Sequence, residues 1–167
     1  MAEGILVLFS TVAVCMDLNR EKIDNRWIAI GWLLGFSYQL IQQGLKGIGI
    51  FFLGAAVPIV ILYVLFWFRM IGAGDIKMLS VLGGFMGPKT ILICMGIAFI
   101  CGAVISLAVM ILCGNLMSRL RYFAGYLIQL TTEKRVVPYM RKGRYMENIH
   151  FSVPILMGVL LFVGGFY

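Results

Sequence analysis

Charge is scarce in this chain. Asp, Glu, Lys and Arg make up 13% of its 167 residues, about half the ~25% usual in soluble domains. Apolar residues reach 62%, where ~45–50% is ordinary. A water-soluble core cannot absorb so much apolar surface, and exposing it would drive aggregation. The composition needs lipid as its solvent. Cysteine is thin too. Cys15, Cys94, Cys101 and Cys113 form no C-x-x-C pair, and each sits in an apolar run. They read as small buried hydrophobes, not as a disulfide framework or a zinc site. The one histidine, His150, has no Cys or His beside it, so no metal site is expected. Basic residues are not interleaved with aromatics as in a nucleic-acid module, so nucleic acid is not expected as a partner. There is no internal repeat and no low-complexity tract.

What remains is a series of apolar runs separated by short polar joints. The runs are Gly4–Met16, Trp27–Ile41, Ile48–Phe68, Met78–Met86, Ile91–Cys113 and Phe151–Phe166. The opening run lacks a basic leader and a small-residue cleavage site, so it reads as a span, not a signal peptide. Sixteen residues at ~1.5 Å each cover roughly 24 Å, most of a ~30 Å hydrocarbon core, which puts Asp17 near an interface. Trp27 and Trp32 are candidate interface anchors. Pro58 predicts a kink in the third run. The fourth run is short and broken by Gly83-Gly84 and Gly87-Pro88. It predicts a helix from Ile76 to about Met86, packed closely against neighbours.

The expected fold is an all-α membrane protein of one domain, residues 1–167, with six transmembrane helices. Residues 115–149 form an amphipathic, basic segment between helices 5 and 6. Leu116, Leu120, Phe123, Leu127 and Leu130 recur at helical spacing, as in a helix lying on the membrane. The basic stretch that follows reads as a solvated loop attracted to lipid.

The 14 basic residues set the orientation. The first, third and fifth connections hold twelve of them and read as cytoplasmic, so both termini face outward. Asp17 and Asp75 then share one face and one depth.

Both acids adjoin long apolar runs, where a carboxylate is expensive and by default marks function. Asp75 belongs to Gly72-Ala73-Gly74-Asp75-Ile76-Lys77. Two carboxylates a few ångströms apart cannot both ionise cheaply. One keeps a proton and can donate it to a carbonyl; the other can take a proton from water. Such a pair hydrolyses a peptide bond without metal, cofactor or covalent intermediate. Gly72 and Gly74 would let an extended substrate backbone come close.

Each acid also has a plainer reading. Asp75 could cap a helix starting at Ile76. Asp17 could be a loop acid paired with Arg20 or Lys22. Asp24 reads as solvated, and Glu133 and Glu147 as surface residues. Lys77 could anchor lipid phosphate or tune Asp75.

The pattern resembles the type IV prepilin peptidases, membrane aspartic proteases of the GxGD class. Gly72-Ala73-Gly74-Asp75-Ile76-Lys77 matches that family's G-x-G-D-x-K. Asp17-Leu18 through Ile23-Asp24-Asn25 matches its first motif, except that Asp24 stands where a proline is usual. Phe151-Ser152-Val153-Pro154 resembles its entry to the last helix.

The resemblance implies a multi-pass protein of the cell membrane that removes leader peptides from type IV pilin-like precursors at the cytoplasmic face. Asp17 and Asp75 would be the catalytic pair, with Gly72, Gly74 and Lys77 at the substrate. The paired C-x-x-C region of bifunctional members is absent, so protease activity without methyltransferase activity is expected. The form is that of Flp/Tad or preflagellin peptidases. The competing class is a small proton- or cation-coupled transporter with Asp17 and Asp75 as ion-binding acids, or a structural subunit whose acids pair with arginines. Against a transporter, no repeated half with matching broken helices is seen.

Overall fold

The computed structural model describes residues 2–68, 70–112 and 150–167. These are helical, with no strand among them. In chain order the helices are α1 (Ala2–Arg20), α2 (Asn25–Gln43), α3 (Leu45–Trp67), α4 (Ala73–Met86), α5 (Pro88–Leu112) and α6 (Ser152–Val163). The predicted amphipathic and basic segment at 115–149 lies outside the described residues.

The six helices of the described residues match the six apolar runs. Two of them, α3 and α5, are long and apolar enough to cross a membrane. The other four do not meet that test, so the expected six spans are not carried by helix length and apolarity alone. Fourteen residues of α4 reach only ~21 Å and twelve of α6 only ~18 Å, against a ~30 Å hydrocarbon core.

α4 is the hub and packs against all five other helices. It is apolar on every side: Ile76 and the whole run Met78–Phe85 are buried. A helix apolar all round belongs inside a bundle, not at its surface. Glycines let its neighbours reach it. A Cβ on Gly54 would collide with the Gly83 carbonyl, and one on Gly83 with the Gly54 carbonyl. The backbones of α3 and α4 therefore touch directly. Gly84 receives the Phe51 ring in the same way.

The far end of α4 is closed by two devices. Gly87 takes φ 80° and its N–H donates to Gly83 O at 2.8 Å, a helix stop that suits glycine. Buried Gln39 on α2 donates its side-chain amide to Phe85 O at 2.9 Å and Gly84 O at 3.3 Å. Those carbonyls belong to the last turn, which has no intrahelical donors left.

Two boundaries differ from expectation. α1 continues through Asp17 to Arg20, so Asp17 is presented by a helix and not by a loop. It ends where Glu21 adopts φ 51°. α4 begins at Ala73, three residues earlier than predicted. Trp27, half-buried, stacks on Phe9 at 5.6 Å and donates Nε1–H to Phe9 O at 3.3 Å.

Candidate active site

At the polar end of the bundle, the first connection is tied to the start of α4. Ile23 is buried. Its side chain lies 3.6 Å from where a Cβ on Gly74 would stand. Lys77 Nζ donates to Asn25 Oδ1 at 2.8 Å. Each half of the sequence pattern thus holds the other: Ile23 against Gly74, Asn25 against Lys77. Lys77 had been expected to meet lipid phosphate or Asp75; its partner here is Asn25.

Asp24 is the N-cap of α2. Its carboxylate accepts the Arg26 backbone N–H at 3.0 Å. Its φ of −67° is the value that proline imposes. The backbone shape that a proline would fix is therefore present without one.

Gly72 caps α4, with extended backbone at φ −73° and ψ 147°. That corrects the plainer reading of Asp75 as a cap at Ile76. Asp75 stands three positions past the cap, in the first turn, with the Gly72 backbone near enough to favour its anion. A Cβ on Gly72 would sit 3.2 Å from Asp75 Oδ2. A side chain there crowds the acid, which gives the first glycine a concrete role. Gly74 has only ordinary contacts, with Ile23.

Asp17 comes from the last turns of α1. Its partner is neither Arg20 nor Lys22. Oδ2 accepts the Ser152 hydroxyl at 2.6 Å and faces His150 Nδ1 at 3.1 Å. Both partners flank the start of α6, which is seated on α5. The Phe151 ring lies 5.1 Å from that of Phe99, and a Cβ on Gly102 would stand 3.1 Å from Phe151. Sequence reasoning missed both contacts. His150 was weighed only as a metal ligand. The available signal was the position of the sole histidine, directly before Phe151-Ser152-Val153-Pro154.

The two aspartates share this end of the bundle. Asp75 lies outside the spans of α3 and α5, in the first turn of α4. Burial, then the charge of Asp17, push its acid up from the ordinary 3.8 to about 6. The nearby Gly72 backbone and His150 pull the other way. The helix N-terminus also favours the anion, by roughly 0.3–1 kcal/mol. A rise of about two pH units corresponds to ~3 kcal/mol, so burial and the neighbouring carboxylate win. Among the described residues no three His, Cys, Asp or Glu side chains are grouped so as to hold a metal ion.

No curated protein and no solved structure gives a significant match to the chain. A family model described as the type IV leader peptidase family matches residues 4–107. That range contains Asp17, the Ile23–Asn25 connection and the whole of Gly72–Lys77, and stops short of His150. With well over half its length matched, and with both aspartates and the glycine turn inside the match, this chain belongs to the type IV leader peptidase family.

Proposed function

We propose that the protein is an aspartic endopeptidase that removes the leader of a type IV pilin-like precursor, with Asp17 and Asp75 as its catalytic pair. One observation carries the reading: α1 and α4 bring two carboxylates into electrostatic reach of each other, beside the glycine turn, within the segment that the family model matches. The substrate is a precursor whose leader precedes a hydrophobic helix. That helix lies in the membrane, and its peptide bond unwinds at the polar mouth. The mouth faces the cytoplasm, because the basic connections lie on that side. The six described helices are embedded, α4 sheltered by α3 and α5 and α6 by α1 and α5, with the first turn of α4 and its Asp75 left at the polar mouth. The short form is of the Flp/Tad or preflagellin kind. Gly72, Gly74 and Lys77 line the substrate's approach.

The chemistry balances with one shared proton. The ionised aspartate takes a proton from water, whose oxygen bonds to the carbonyl carbon. The neutral aspartate gives its proton to the carbonyl oxygen, forming a gem-diol. The diol collapses as the first acid protonates the amide nitrogen and the C–N bond breaks. A diol hydroxyl returns its proton to the second acid. Positioned proton transfer of this kind is worth ~10²–10⁴-fold.

Co-expression with a candidate prepilin, followed by precursor mass, tests the reading. Asp17→Asn and Asp75→Asn, each alone, should abolish shortening while the protein still accumulates in the membrane. Normal cleavage by either variant removes the pair. Cleavage should persist in excess chelator.

A further inference from the structure

We propose that His150 is a positioning residue that, with Ser152, holds Asp17 as the ionised, water-activating member of the pair and leaves Asp75 to carry the shared proton. The proposal rests on the peptidase reading and assigns the two roles within it.

The two acids are solvated differently. Asp17 Oδ2 takes two side-chain donors, Ser152 Oγ at 2.6 Å and His150 Nδ1 at 3.1 Å. An O–H···O distance of ~2.5–2.7 Å is that of a hydroxyl donating to an anion. Ser152 is fully buried, so its hydroxyl needs this partner. Against a carboxylate, Nδ1 must carry its hydrogen, whether the ring is neutral or charged. At Asp75 the nearby Gly72 backbone favours the anion, but burial works against it and outweighs that effect. Donors to the charged form favour it, and desolvation without them favours the neutral form. With one proton between them, it resides on Asp75.

Three elements pack against α6, and each presents something specific. α1 presents Asp17 and α4 presents Asp75, whose charge state responds to His150. α5 presents Phe99 and Gly102 to Phe151, and Cys94 to Gly158 deeper along the helix. On the start of α6 itself, Ser152 shares Oδ2 with the imidazole. The ring is thus aimed at one carboxylate directly and at the second through space.

Two measurements on the full chain in detergent decide the matter. The first is the pH profile of cleavage of a precursor peptide spanning leader and hydrophobic helix. His150→Ala should lower kcat/KM by about 10- to 100-fold, the range of a lost hydrogen bond to a charged group. It should also move the acid limb of the profile upward, because the base is harder to ionise. His150→Asn keeps a neutral donor near the Nδ1 position and should restore much of the rate. An equal loss at every pH with the limb unmoved, or no loss at all, overturns the proposal. The second measurement does not need turnover. Difference infrared titration of carbon-13-labelled aspartate, in an Asp24→Asn, Asp75→Asn background, follows Asp17, the one aspartate left in the sequence. His150→Ala should shift that titration upward, and an unmoved titration overturns the role. Absence of cleavage by the unaltered protein, with a shifted Asp17 titration, defeats the peptidase reading and leaves the coupling standing.

Discussion

The two ends of α4 are built on opposite principles. Its C-terminal end is anchored by one direct backbone contact, Gly83 on Gly54, with the Phe51 ring on Gly84 and the Gln39 amide on the last carbonyls packed around it. Its N-terminal end is joined through side chains: Ile23 at Gly74, Lys77 on Asn25, Asp75 folded back on Gly72. A backbone contact cannot adjust, so it fixes where the helix lies. Side-chain joints can be re-made. The end that the proposed function asks to admit a peptide and change protonation is the one joined chiefly through them. Rigidity and chemistry are divided along a fourteen-residue helix.

Substitutions at the two ends should therefore fail differently. The largest effect is expected from Gly83→Val. Its Cβ falls on a carbonyl that belongs to a packed helix, beyond the ~1–3 kcal/mol of ordinary overpacking. Little folded protein should remain after detergent extraction, read by size exclusion and thermal unfolding. A well-folded variant would show that α3 and α4 can move apart.

Next is the pH dependence of stability at Asp75. Its acid is raised on folding, from 3.8 to about 6. The folded state therefore holds the proton more tightly than the unfolded chain. That stabilisation is complete below about 4 and lost as pH rises through about 6. Relative to the unaltered protein, Asp75→Asn should gain stability above pH ~6, by at most ~3 kcal/mol, and lose the advantage toward pH ~4. Unfolding midpoints across that window check the sign.

Lys77→Met cuts the joint to Asn25 and should leave the fold intact. An exposed pair of this kind contributes ~0–1 kcal/mol. Cleavage should fall several-fold, because the first connection is less firmly held beside Asp75. If stability falls as far as for Gly83→Val, the contrast between the two ends is wrong.

The smallest effect is expected from Asp24→Pro. The φ already suits proline. Loss of the cap costs ~1 kcal/mol, and restriction of the unfolded chain returns ~0.4–1 kcal/mol. The unfolding midpoint should hardly change.

Much of this arrangement was legible in the sequence. Six apolar runs mark six helices, because lipid-facing and core-facing residues are both apolar and only the joints are polar. The same uniformity blurs the ends: α1 passes through Asp17, and α4 starts at Ala73, because a glycine cap leaves no side-chain signal. Asp17 and Asp75 stood out because charge is rare beside such runs. His150 and Ser152 did not. They lie more than 130 positions from Asp17, and nothing local in the sequence reports a contact made by the docking of the last helix. Asn25 was quoted as part of a motif, but its bond to Lys77 needed two helices placed side by side. The stacking of Trp27 on Phe9 was equally invisible, because an indole near a polar joint carries no local sign of a phenyl ring on a neighbouring helix.

The Gln39 amide has a bearing on how the catalytic acids meet solvent. A short helix that stops inside a bundle ordinarily asks for water at its tail. Here a neighbouring side chain answers that demand, and Gln43 in turn supplies a donor to the Gln39 oxygen at 3.4 Å. The floor of the bundle thus has no thirst of its own. On the peptidase reading proposed above, water and peptide would then meet the bundle at one and the same end, where Asp17 and Asp75 stand.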